Sequence, residues 1–221
     1  MTTLPHLSPA RSPTRRPTCP RCSRPLRACL CPWVRPTPNQ ARVLILQHPL
    51  EAGQAKGSAT LLRLSLARAQ WEVGEQFDEA ALQQWLGPPG QAVLLYPATP
   101  PAEPRSLDVA DATAMRHFTP SASTNLSQLC LVVLDATWRK SRKLLHCNPL
   151  LGTLPRLSLQ APPPSLYAPL RKAQQPQHQR STLEATALAL QQLEGDAARY
   201  QPLLAAFAGF VAAQGEFAAQ S

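Results

Sequence analysis

The 221-residue chain is long enough for one α/β domain with a small appendage and short for two full domains. Apolar residues make up 44% and charged residues 16%, enough to bury a core, while 25 prolines promise loop-rich stretches. No apolar run reaches membrane-spanning length and the first 17 residues lack a secretory apolar stretch, so a soluble cytoplasmic protein is expected.

The formal net charge of +9 is concentrated in two blocks. Residues 1–42 carry eight arginines and no acid, and residues 135–180 carry eight basic groups against Asp135 alone. The remaining segments are mildly acidic. Two basic blocks on such a body point to a polyanionic partner.

Residues 1–18, proline-bearing and without apolar periodicity, read as a disordered basic arm. Residues 19–38 form a small module holding Cys19, Cys22, Cys29 and Cys31 in the spacing C-x2-C-x6-C-x-C. Two close pairs let a short loop supply the four soft ligands of tetrahedral zinc, and Arg21, Arg24 and Arg27 would offset the thiolate charge. Four protein ligands leave no open position, so the expected role is structural. The alternatives are a redox pair and a disulfide knot. The first lacks its usual βαβ context and the second lacks a secretory signal. Cys130 falls inside an apolar run and reads as core, while Cys147 has no assignment.

From Arg42 to the end the texture is that of one α/β domain. Arg42–Gln47 reads as a buried strand, followed by a helix over 55–70 with leucines 61, 62, 64 and 66 on one side. A weaker helix covers 77–86 and ends at Gly87-Pro88-Pro89-Gly90. Further strands are expected at 92–96 and 129–134, with a short one at 156–159. Helices are expected over 138–146, over 181–194 with the capping box Ser181-Thr-Leu-Glu184, and over 202–213. Continuous apolar strands alternating with helices imply a mostly parallel sheet covered on both faces. Ligands then belong outside the carboxyl ends of the strands, just past Leu46, Leu95 and Leu134.

The richest of these ends is Asp135-Ala-Thr137-Trp138, followed by Arg139, Lys140, Arg142 and Lys143. Asp135 is a site candidate by position, although it or Thr137 could simply cap the next helix. Trp138 is placed to stack a base or an adenine, and the basic quartet suits phosphates or a solvated helix face.

Asp135-Ala-Thr137-Trp138 resembles the signature of the DTW-domain family, which includes tRNA-uridine aminocarboxypropyltransferases. Other segments are similar to that family in the same order: the cysteine cluster with Arg24-Pro25, Gln47-His48-Pro49 with Glu51, Lys56 and Thr60, and Leu94-Leu95-Tyr96-Pro97. Ser165, Tyr167, Leu170-Arg171-Lys172 and Ser181-Thr182-Leu183-Glu184-Ala185 complete a set spanning roughly residues 19–195.

The resemblance implies S-adenosylmethionine as donor of its 3-amino-3-carboxypropyl group, N3 of a tRNA uridine as acceptor and methylthioadenosine as by-product. It implies catalytic roles for Asp135, Thr137 and Trp138, with Asp135 as base or orienting group. It implies donor binding by Leu95, Tyr96, Pro97, Tyr167, Ser181, Thr182 and Glu184. The tRNA contacts would be His48, Glu51, Arg139, Lys140, Arg142, Lys143, Arg171 and Lys172. It also implies a knotted carboxyl-terminal sheet. The competing readings are an RNA methyltransferase using the same donor and a non-enzymatic, zinc-bearing RNA-binding protein. No stable protein partner is expected.

Overall fold

The computed structural model of the chain describes residues 17–52, 58–97, 117–121, 123–165 and 180–219. Most of the expected basic arm, and the candidates Lys56, Tyr167, Arg171 and Lys172, lie outside these ranges.

In chain order the elements are β1 (Arg42–Gln47), α1 (Ala59–Ser65), β2 (Ala69–Val73), α2 (Glu79–Leu86), β3 (Ala92–Leu95) and β4 (Cys130–Asp135). Then follow α3 (Trp138–Cys147), α4 (Pro149–Gly152), β5 (Arg156–Leu157), α5 (Thr182–Glu194) and α6 (Ala197–Ala219). The five strands form one sheet in the order β2-β1-β4-β3-β5, parallel throughout.

The apolar strands are continuous because both faces of the sheet are covered. Val43, Ile45, Leu131 and Val133 face a core shared with Leu61 and Leu62 of α1, Leu183 and Leu190 of α5, and Phe207 of α6. Their neighbours Leu44, Leu46, Val132 and Leu94 face the opposite core, with Leu82 and Leu86 of α2 and Leu151 of α4. Burying both sides removes the polar alternation of a half-exposed strand.

The connections after the two adjacent strands β1 and β4 leave in opposite directions. From β1 the chain passes through α1 on one face to β2. From β4 it passes through α3 and α4, which contribute Leu145 and Leu151 to the other face, toward β5. Such a divergence opens a crevice at the carboxyl ends of the two strands. Gln47 and Asp135 end those strands and are paired in register.

Three expectations change. The helix expected over 55–70 stops at Ser65, and Ala69–Val73 is a strand laid parallel to β1 from Val43↔Ala69 to Gln47↔Val73. Ala-Gln-Trp-Glu-Val is half-buried at a sheet edge, so it lacks the apolar continuity that marks the central strands. Arg63 of α1 covers Trp71 of this strand, its guanidinium 4.6 Å from the ring centroid.

The last helix begins at Ala197 rather than at Pro202 and runs to Ala219. The Asp196 side chain accepts from Arg199 N at 3.0 Å and starts it, so Pro202 sits in the second turn. The strand expected at 156–159 is only Arg156–Leu157. No described helix is long and apolar enough to cross a membrane.

The cysteine-bearing segment packs against the end of the chain. Cys19, Cys22, Leu30 and Val34 share a core with Tyr200, Phe207 and Phe210 of α6, and Arg24 lies 5.7 Å from the Phe210 ring centroid. Trp33 presses so closely on Gly209 that a Cβ there would overlap the indole. Gly209→Val is therefore expected to lower the unfolding free energy by about 1–3 kcal/mol in a denaturant titration. An unchanged midpoint would show that this contact does not hold the segment to α6.

Candidate active site

Asp135 ends β4 with 8% of its surface exposed. Its Oδ2 accepts from Gln47 Nε2 of β1 at 2.5 Å, and its Oδ1 accepts from Thr182 Oγ1 at the head of α5 at 2.5 Å. The backbone joins the same strands one residue on, where His48 N donates to Asp135 O at 3.1 Å. The carboxylate thus ties two strands and a helix that are far apart in sequence. It does not cap α3. Thr137 occupies that position and makes no side-chain cap; its carbonyl accepts the first helical bond, from Ser141 N at 2.7 Å.

His48 is 5% exposed, and both ring nitrogens are engaged. Nδ1 accepts from Leu50 N at 3.2 Å, which leaves Nε2 to carry the proton and donate to Glu75 Oε1 at 2.8 Å. Glu75 also meets Lys143 at 2.9 Å. Those contacts, Lys143 first and His48 second, hold the Glu75 carboxyl below the usual range, and Glu75 in turn raises Lys143. Lys140 pairs with Glu51 at 2.7 Å. Of the basic quartet on α3, Arg139 and Arg142 are exposed and have no acidic partner among the described residues. Residues three apart share a helix face, so these two form the open part of the expected stripe.

Trp138 is 47% exposed at the start of α3. Its ring meets that of Tyr96 edge to face, with centroids 5.7 Å apart at 82°. Arg156 lies over Tyr96 at 5.2 Å. Tyr96, just beyond β3, steadies the tryptophan from one side and leaves the rest of the indole to solvent.

At the head of α5 the capping box is complete. Ser181 Oγ accepts from Glu184 N at 3.1 Å, and Glu184 Oε2 accepts from Ser181 N at 3.0 Å. Ser165 Oγ donates to Glu184 at 3.0 Å, and Ser58 Oγ accepts from Leu183 N at 3.3 Å. Ser181 and Glu184 are both buried, so their first duty is to fix the helix that carries Thr182. Leu95 ends β3, and Pro97 is exposed just after Tyr96.

The four cysteines converge as their spacing suggests. Their sulfurs all lie within 4.8 Å of one another, with Cys19–Cys31 at 3.7 Å and Cys22–Cys29 at 3.8 Å. Backbone hydrogen bonds at Cys22 and then Arg21 lower the Cys19 thiol to about 6, whereas burial and the neighbouring sulfurs push Cys31 up to about 12. All four are free thiols, and this cluster is the one metal-ligand group among the described residues.

The DTW domain family matches residues 16–215 of the chain. The chain belongs to that family. It is 30% identical over 193 residues to tRNA-uridine aminocarboxypropyltransferase 2 of Mus musculus, covering 84% of this chain and 59% of that protein. It is 31% identical over 191 residues to the Drosophila melanogaster protein of the same name, covering 82% and 68% respectively. It is 25% identical over 142 residues to tRNA-uridine aminocarboxypropyltransferase A of Arabidopsis thaliana, covering 61% and 52%. The DTW chain thus spans about three fifths of the mouse relative. No solved structure gives a significant match.

Read against the DTW signature, the aspartate and tryptophan are engaged in different ways: Asp135 is a buried junction and Trp138 an exposed ring. Sequence reasoning assigned no site role to Gln47 or Glu75. Gln47 was visible as the polar end of an apolar strand, but Glu75 gave no local signal. Thr182→Val keeps the shape of the side chain and removes the bond to Asp135. It should cost about 1–3 kcal/mol of stability by thermal or chemical unfolding. A loss too small to measure would mean that the Thr182–Asp135 bond does not hold α5 against β4.

Proposed function

We propose that this DTW-family chain transfers the 3-amino-3-carboxypropyl group of S-adenosylmethionine to N3 of a tRNA uridine. The observation that carries this reading is the buried carboxylate at the carboxyl ends of β1 and β4, beside an exposed tryptophan and cations on α3. The names of the mouse, fly and plant relatives support the substrate class.

The reaction forms a bond from N3 to the donor carbon beside the sulfonium and breaks that carbon–sulfur bond. Methylthioadenosine leaves, and the imide proton must leave N3. Asp135 suits the task of orienting that N–H or accepting its proton, since Gln47 and Thr182 fix it from two sides. Trp138 would stack a base, and Arg139 and Arg142 would meet phosphates. Lys140 and Lys143 would instead hold the loops carrying Glu51 and Glu75 in place. The donor would lie near Leu95, Tyr96, Pro97, Tyr167 and the head of α5, while Arg171 and Lys172 would join the tRNA contacts. His48 and Glu51 would shape the tRNA side through the loop they brace.

The four cysteines fit a structural zinc. Zinc–sulfur bonds of about 2.3 Å set tetrahedral edges of about 3.8 Å, which the two closest pairs match. Bound zinc would supply charge neutralisation for thiolates packed against α6. A cytoplasmic location, where thiols stay reduced, and the knotted carboxyl-terminal sheet belong to the same proposal.

Purified protein should contain about one zinc per chain by elemental analysis, and Cys22→Ser should lose metal and lower the melting temperature together. Metal-free protein with full stability would overturn the zinc assignment.

For the reaction, the protein is incubated with S-adenosylmethionine and tRNA and the RNA is weighed by mass spectrometry. A gain of one aminocarboxypropyl group is expected; a methyl gain, or none, contradicts the reading. Asp135→Asn should reduce transfer at least about a hundredfold while donor binding persists. Mapping the modified nucleotide identifies the uridine.

A further inference from the structure

We propose that Gln47 reads the base, its amide oxygen sharing the N3–H of the target uracil with the Asp135 carboxylate beside it and so separating uridine from cytidine. This rests on the transferase reading above and adds a specificity-determining residue to it.

Gln47 is 3% exposed and lies in register with Asp135 across the β1–β4 ladder. Its Nε2 donates to Asp135 Oδ2 at 2.5 Å. That bond fixes which end of the amide faces the carboxylate, because the reversed amide would set two acceptor oxygens against each other. Oε1 is thereby committed to being an acceptor elsewhere. It is buried, and among the described residues it has no hydrogen-bond partner.

Buried amide oxygens are seldom left unpaired, since water is lost and nothing replaces it. The guanidinium nitrogens similarly buried without a partner, on Arg63 and Arg180, are donors. Gln47 Oε1 is the one amide acceptor in this condition among the described residues, and its amide is bonded to the site carboxylate.

A ligand that satisfies this oxygen must bring an N–H or O–H. Neutral uracil carries a proton on N3, whereas cytosine presents a bare lone pair there. Cytosine would leave Oε1 unpaired and add repulsion between two acceptors. Sites built to hydrogen-bond a substrate group reject the analogue that lacks it far more strongly than apolar pockets do. The competing source of a proton is the donor's ammonium group. A cation with three donors would draw chiefly on the carboxylate that Gln47 and Thr182 already hold, whereas a single neutral N–H can lie between that carboxylate and the amide oxygen.

The test uses full-length protein and two transcripts of the modified tRNA, one with the mapped uridine and one with cytidine in its place. Each competes for binding against labelled tRNA. Wild-type protein should bind the uridine transcript at least about tenfold more tightly. Gln47→Met, with Gln47→Leu beside it, should bring the two within about twofold, with S-adenosylmethionine binding retained and the melting temperature, although lowered, still above the assay temperature.

Equal binding of both transcripts by wild type overturns the proposal without any variant. So does a variant that keeps the wild-type preference. Loss of S-adenosylmethionine binding would assign the oxygen to the donor's ammonium and equally overturn it. Wild-type protein that transfers nothing in the mass assay brings down the transferase reading itself, and this inference with it. Transfer without base discrimination removes only the inference.

Discussion

The Asp135 carboxylate is the interaction on which the rest of the site depends. A sheet covered on both faces has no room for a charge along its length, so polar side chains can gather only where its strands end. Here the strand-end position of β4 is a carboxylate, and two neutral donors from β1 and α5 meet it. Removing either would leave a buried carboxylate short of a donor, at the point where the polar ends of β1, β4 and α5 meet beyond their shared apolar core. The capping box at Ser181 and Glu184 serves the same end by fixing the helix that delivers Thr182.

Around that junction the charges divide by task. Glu51 with Lys140, and Glu75 with Lys143 and His48, join the loops after β1 and β2 to the helix after β4. These pairs are partly exposed, so their individual stability contributions are small, but together they set the relative positions of the strand-end loops. Arg139 and Arg142 are left facing outward. The overall +9 is thus a poor guide to where a polyanion would touch, since two of the four cations beside Asp135 already have acidic partners.

Much of this was legible in the sequence, and the reasons differ by element. β1, β3 and β4 were clear because full burial makes apolar runs, as in Val43–Leu46 and Leu131–Val133. The capping box marked α5, and the cysteine spacing marked the sulfur cluster. β2 was hidden because an edge strand needs no continuous apolar run, and the leucines of α1 ran up to it as though the helix continued. The start of α6 was misplaced because Pro202 resembled a first helical residue while Asp196 did the capping. At the site, Asp135 and Trp138 announced themselves by position and type. The ties of Lys140 to Glu51, of Lys143 to Glu75 and of Thr182 to Asp135 join residues distant in sequence, so no local pattern could show them.

The proposed seat of the target uracil is at the carboxyl ends of β1 and β4, beside Asp135 and Gln47. The most direct measurement is the distance from uracil N3 to the Asp135 carboxylate, in a structure of the protein with its tRNA and an unreactive donor analogue. The account predicts hydrogen-bond reach, about 3 Å, with Gln47 beside the same edge of the base. A base bound beyond contact with both side chains, on another edge of the sheet, would contradict it.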